Sequence, residues 1–225
     1  CFSAAGSIKS AILDFEKAIN LKSDYTEAHY NLGVAFQSIN QLSKAKESYQ
    51  KAISLKHAYP NAHNNLGLIF LRHSQLDSAV KSFEWAIAYN PEYAEAINNL
   101  GATFQELKQF MKAKSQFEKA IVLNPNYEQA FHNLGVLCEI INLPDKALNY
   151  YEKAVSINPE FAEAYRNLSK IKKFKIGDPQ ILQIQSIYSK TDINPSDKVK
   201  LSFALAEVYK DLEDHNKFFK FLHEG

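Results

Sequence analysis

The chain repeats itself at a fixed interval, and no other feature limits its fold so strongly. Asn-Leu-Gly stands at 31–33, 65–67, 99–101 and 133–135, and Asn-Leu-Ser follows at 167–169. Ala28, Ala62, Ala96, Ala130 and Ala164 keep the same step, as do Phe36, Phe70 and Phe104, with Cys138 in their slot. Later in each unit come Ala11, Ala45, Ala79, Ala113 and Ala147, then Phe15, Tyr49, Phe83, Phe117 and Tyr151. Ala18, Ala52, Ala86, Ala120 and Ala154 follow, and Pro91, Pro125 and Pro159 close three units. Chance does not produce such agreement.

Within a unit the spacing is helical. Ala96, Leu100, Gly101 and Phe104 share one face of a helix, and Phe110, Ala113, Phe117, Ala120 and Ile121 share a face of a second. A short polar turn around Lys108-Gln109 separates them, and Asn-Pro-Asn at 124–126 stops the second helix. Each unit is therefore predicted to be a pair of antiparallel helices. Glycine inside a helix costs about 1 kcal/mol relative to alanine, so its recurrence at 33, 67, 101 and 135 needs an offset. Close approach of the partner helix at Ala45, Ala79, Ala113 and Ala147 is the expected one, with the aromatics filling space between pairs.

Composition excludes several classes. Basic and acidic side chains number 26 and 25, a net charge of +1 that gives no electrostatic case for nucleic acid or an anionic membrane. No apolar run reaches the 18 or so residues of a membrane span. Two cysteines, Cys1 and Cys138, cannot make a disulfide framework. No phosphate loop, dinucleotide fingerprint, nucleophile elbow or His-Glu-x-x-His motif is present. The seven histidines are scattered; His29 and His63 share a slot, and His132 lies one position on, without a third metal ligand. No catalytic residue, metal or cofactor is expected, and Cys138 in an aromatic slot reads as a buried, inert thiol. The absence of a charged-then-apolar leader suggests a cytoplasmic protein.

A helix-turn-helix unit of this period with Leu-Gly, an aromatic three residues later, then Ala, an aromatic, Ala and Pro resembles the tetratricopeptide repeat. The likeness spans residues 1 to about 168, with complete units at 26–59, 60–93, 94–127 and 128–161. The usual early aromatic is replaced by His29, His63 and Ile97, and His57 stands where proline is usual. The resemblance implies an all-α, right-handed α-solenoid forming a single domain over 1–225, with a partial repeat at 1–25 and degenerate helices and a cap at 162–225. Backward extension of the register puts Phe2 in the slot of Phe36, so the chain is expected to begin inside a first helix, as a fragment. Phe2, Ile8, Ile12 and Phe15 then lack a stacking neighbour, and weak self-association through that end is expected.

Beyond 168 the repeat decays. Asp178 and Pro179 read as cap and first residue of a helix to about Ser189, and Ser196 or Asp197 as the cap of one reaching Leu212. A last helix runs from Asp214 to His223. The segment from Tyr165-Arg-Asn-Leu-Ser to His223-Glu-Gly225 is similar to the one preceding the catalytic domain in bacterial proteins that join these repeats to a sulfotransferase. That likeness implies an alternative in which the chain is the targeting or scaffolding part of a larger enzyme.

In the family, the inner face is lined by positions 2, 5, 6, 9, 12 and 13 of each unit. Position 6 is Asn31, Asn65, Asn99, Asn133 and Asn167 without exception. The array is similar to the asparagine ladder of O-linked N-acetylglucosamine transferase, which holds the backbone of an extended peptide. The same residues would also serve helix packing, and both readings stay open here. Tyr30, Asn64, Asn98, His132, Arg166 and Gln105 are the expected flanking contacts. A clamp for acidic chaperone tails, with lysine at position 5 and asparagine at position 9, is excluded: position 5 reads Tyr30, Asn64, Asn98, His132 and Arg166, and position 9 reads Val34, Leu68, Ala102, Val136 and Lys170. Arg166, Lys170, Lys172, Lys173 and Lys175 form a basic run, read as a solvated helix face or as an anionic contact. The expected partner is a protein or extended peptide.

Overall fold

A computed structural model describes residues 2–225, and side-chain surroundings from Ser7 onward. Cys1 and the Phe2 side chain, both named above, lie outside what is described. The described residues form thirteen α-helices and no strand. They divide into two compact units, residues 1–116 and 117–225, held mainly by contacts between consecutive helices and, in the second, also by packing of the tenth helix on the twelfth.

The first unit begins with α1 (Phe2–Leu21), followed by the pairs α2 (Thr26–Ser38) with α3 (Leu42–Leu55) and α4 (Pro60–Arg72) with α5 (Leu76–Tyr89). Helix α6 (Ala94–Glu106) comes next, and the division between units falls inside α7 (Phe110–Leu123). One expectation fails at the start. The chain is expected to begin inside the first helix of a pair, yet α1 runs through Gly6 and Ser7 as one helix that carries the second-helix residues Ala11, Phe15 and Ala18. The few residues before Gly6 are too short to nucleate a helix of their own, whereas prolonging an existing helix adds a hydrogen bond for each residue fixed.

Elsewhere the turns recur as faithfully as the sequence. Asn40, Ser74, Lys108 and Asn142 all adopt the left-handed conformation, with φ between 56 and 60°. The next amide in each case donates to the carbonyl five residues back: Gln41 to Phe36 at 2.8 Å, Gln75 to Phe70 at 2.9 Å, Gln109 to Phe104 at 2.8 Å and Leu143 to Cys138 at 2.8 Å. This closure satisfies carbonyls that the helix end leaves orphaned.

The glycines face something other than expected. A Cβ on Gly33 would lie 2.6 Å from the Tyr49 ring, and one on Gly67 would lie 2.7 Å from the Phe83 ring. Gly135 stands over Tyr151 in the same way. The close approach is therefore to the aromatic ring within the pair, not to the alanine, while the same rings also cluster with the next pair, Tyr49 with Leu66 and Ile69 and Phe83 with Leu100. Tyr49, Phe83 and Tyr151 are 0% exposed as a result. That burial offsets the helical cost of each glycine.

In the second unit α8 (Glu128–Ile140) pairs with α9 (Pro144–Ile157), and α10 (Ala162–Ile171) packs on α9. Then come α11 (Pro179–Tyr188), α12 (Pro195–Asp211) and α13 (His215–Glu224). Tyr25, Tyr59, Tyr93, Tyr127 and Phe161 precede the first helices of the repeats, and none caps with its side chain. The later helices do otherwise: Asp178, Asn194 and Asp214 accept from Gln180 N, Ser196 N and Lys217 N. Asn194 thus caps α12, in place of the expected Ser196 or Asp197. Pro195 at the first helical position holds Asn194 extended and puts its carbonyl oxygen within reach of the open amide.

Candidate functional site

The ladder residues sit on the first helix of each repeat, two residues before Gly33, Gly67, Gly101 and Gly135 and, for Asn167, before Ser169. Their amides are not equivalent. Asn65 Nδ2 donates to the Tyr30 hydroxyl at 3.3 Å and to the Tyr49 hydroxyl at 3.2 Å. Asn99 Nδ2 donates to Asn64 Oδ1 at 3.0 Å, and Asn64 in turn donates to Glu95 at 3.2 Å. Position 6 thus binds position 5 of the preceding repeat. Among the described residues no group donates to Asn65 Oδ1 or Asn99 Oδ1. Asn31 is exposed, and its amide has no partner among them.

In the second unit the same rule ties Asn167 Nδ2 to His132 Nε2 at 3.0 Å. Here the oxygen is taken too, by Lys170 Nζ at 3.1 Å. Asn133 Oδ1 accepts from Gln129 at 3.2 Å. Asn64, Asn98 and His132 are only 0%, 3% and 6% exposed. Asn64 and His132 thereby act as supports for the ladder rather than as presented contacts.

Tyr49 connects ladder to core. Its hydroxyl donates to Gln37 Oε1 at 2.7 Å while accepting from Asn65. Burial pushes its ionisation well above the ordinary range, so it stays a neutral donor, with the Asn65 bond opposing the shift. Tyr151 repeats the arrangement with Glu139. Phe117, which holds this slot in the repeat of Gln105, has no hydroxyl, and Gln105 Oε1 is buried without a donor. Burial likewise pushes His132 below the usual histidine value; Glu163 opposes this and Lys200 adds to it.

Three of the five basic residues in the run are paired with carboxylates, some near in sequence and some far. Lys172 meets Asp178 at 2.9 Å and Glu152 at 3.5 Å, and Lys173 meets Asp211 at 3.0 Å. Arg166 lies 3.7 Å from Glu163 and over the Phe203 ring. Lys170, Lys173 and Lys175 nevertheless stay exposed, so the run keeps a solvated face while Lys172 is tied into the fold. Cys138 lies in the buried core of its unit. No group of three or more His, Cys, Asp or Glu converges as a metal site among the described residues, and no helix there is long and apolar enough to cross a membrane.

Stacked helix pairs with an asparagine on every first helix define a class, the helical-repeat interaction scaffold. Models of the tetratricopeptide repeat match residues 2–40, 36–74, 64–108, 94–127 and 128–161, and the chain belongs to that family. No curated protein sequence matches the chain. Among solved structures it is similar to MamA, with 26% identity and a TM-score of 0.63 over 71% of this chain and 94% of that one. YrrB, described as a tetratricopeptide protein with an unusual peptide-binding site, shares the fold at 20% identity and a TM-score of 0.59, over 92% and 96% of the two chains. A chain of the Cut9–Hcn1 hetero-tetramer of the APC/C shares it at 16% identity and a TM-score of 0.75, over 97% of this chain and 43% of that one.

Proposed function

We propose that this chain is a non-catalytic scaffold that holds an extended protein segment along the first helices of its repeats. The amide oxygens of Asn65 and Asn99 take backbone N–H groups of that segment. The observation that carries this reading is their shared commitment: each NH2 is fixed by the preceding repeat, and each oxygen has no donor among the described residues. An amide normally pairs with both groups of a peptide, so a side chain pinned by its nitrogen becomes a preorganised acceptor. Neighbouring helices pack about 8–10 Å apart and an extended chain advances about 3.3 Å per residue, so one ladder contact falls on about every third ligand residue. Backbone recognition is broad in sequence. Selectivity then rests with Tyr30 and Gln105, while Asn31 extends the contact within residues 1–116.

The test starts with a 15-residue peptide selected against the whole chain from a random displayed library. Asn65→Ala combined with Asn99→Ala should weaken that peptide at least fivefold with unchanged helical circular dichroism. Each lost hydrogen bond contributes about 0.5–1.5 kcal/mol. Equal affinity in the double variant would reduce the ladder to packing.

A further inference from the structure

Three first helices carry glutamate at position 2 of the repeat and the ladder asparagine four residues on, one turn along the same face: Glu27 with Asn31, Glu95 with Asn99 and Glu163 with Asn167. The last of these pairs shows what such a place takes. Glu163 meets Lys200 at 3.0 Å and Arg166 at 3.7 Å, and Asn167 Oδ1 accepts from Lys170 at 3.1 Å. Cationic groups thus meet acceptors on both side chains. In α8 glutamine replaces the glutamate, and Gln129 itself donates to Asn133. Glu95 and Asn99, on α6, have no such donor among the described residues. Ala102 stands where α10 has Lys170, and Asn98 where it has Arg166. The pair is nevertheless fixed. Asn64, 0% exposed, accepts from Asn99 Nδ2 at 3.0 Å and donates to Glu95 Oε1 at 3.2 Å. That bridge leaves Glu95 Oε2 and Asn99 Oδ1 as acceptors on one face, without a donor or an ion-pair partner among the described residues. The carboxylate is exposed, and it adds to the upward push that burial gives the Tyr30 hydroxyl, which Asn65 opposes.

We propose that the segment held along the first helices of residues 1–116 presents a basic side chain, lysine or arginine, to Glu95 and Asn99. This assignment rests on the extended-segment reading above and names the side chain that the segment must bring. Glu95 and Asn99 then do for the ligand what Glu163 and Asn167 do for Lys200 and Lys170. Exposed ion pairs contribute little partly because two mobile side chains must be immobilised. Asn64 has already immobilised this carboxylate, so only the ligand's side chain remains to be ordered. An ammonium or a guanidinium carries donors enough for both acceptors. An acidic side chain in that position meets two acceptors and no donor, so the same pair that attracts a base rejects an acid.

The probe is the 15-residue peptide selected against the whole chain. Its basic residues are replaced one at a time by neutral counterparts of similar shape, arginine by citrulline and lysine by norleucine. Each peptide is titrated into the parent and into Glu95→Gln, which keeps an acceptor for Asn64 and removes only the charge. At one position the neutral residue should cost the parent at least about fivefold and Glu95→Gln less than about twofold, with helical circular dichroism unchanged. Glu84→Gln, on the second helix α5, should respond as the parent does. Asn65→Ala should weaken the basic peptide and its neutral analogue alike, so a failed ladder and a failed basic subsite give different results. A selected peptide without a basic residue, a loss of equal size in the parent and Glu95→Gln, or a Glu84→Gln response matching that of Glu95→Gln would each overturn the assignment.

Discussion

The two compact units place the same asparagine in the same slot and use it differently. In residues 1–116 the amide nitrogens of Asn65 and Asn99 are committed and the oxygens are not; in residues 117–225 both ends of Asn167 are engaged. The units also differ in how their helices are tied. The first relies on glycine laid over a ring and on left-handed turns, repeated at a fixed period. The second begins the same way at Gly135 and keeps the left-handed turn at Asn142 and Glu213, but adds side-chain caps and ion pairs specific to one place each. Repetition allows one packing solution to be reused. Once the register shifts, each junction needs its own polar tie.

Breaking the ring contact should have the largest effect. Gly67→Leu forces a side chain into the wholly buried Phe83 ring and should destabilise by about 3 kcal/mol, read as a large fall in the melting temperature. A stability within about 0.5 kcal/mol of the parent would disprove the ring-over-glycine account. Next comes the tail. Asp211 accepts from Lys173 Nζ and from the Phe174 backbone amide, at 3.0 and 3.1 Å. Asp211→Ala leaves that amide short of a partner and should cost about 1–3 kcal/mol. Hydrogen exchange should accelerate around α10–α12 and stay protected over 26–108; a uniform loss of protection would contradict so local a tie.

Acid should sharpen the contrast. His132 is pushed below its ordinary value, so on acidification the unfolded chain takes up a proton before the folded one does. The contribution is complete above about pH 6.5 and is lost as pH falls from there toward the lowered folded value. Burial pushes His63 in the same direction. The parent should lose stability between pH 7 and 5.5, and His132→Gln should reduce that loss measurably. An unchanged slope in the variant would exclude His132 as a source. The smallest expected effect is at a turn. Lys108→Gly removes a side chain from the left-handed region and should gain about 0.5–1 kcal/mol, with less gained at Asn40, because asparagine tolerates that conformation.

The period of the repeat makes the helices, their pairing and their turns legible in the sequence, because each repeat must bury the same face against the same neighbour. Three things were hidden. The partner of each glycine is a ring on the second helix, Tyr49 for Gly33 and Phe83 for Gly67, and spacing alone could not rank it above Ala45 or Ala79 on the same helix. The neutralisation of Lys172 and Lys173 depends on Asp178 and on Asp211, which later helices bring back. The inequality of the ladder amides depends on what stands at position 5 of the preceding repeat: a tyrosine for Asn65, an asparagine for Asn99 and a histidine for Asn167. An asparagine in every repeat is visible in sequence; which of its atoms remain available is a tertiary property.

The central claim is that Asn65 and Asn99 accept backbone N–H groups, and backbone N-methylation of the selected 15-residue peptide tests it most directly. Each singly methylated peptide lacks one donor while keeping every side chain. The account predicts at least a fivefold loss of affinity at two positions about three residues apart, and loss at neither when Asn65→Ala with Asn99→Ala is the receptor. Affinity unchanged within twofold at every methylated position would contradict it.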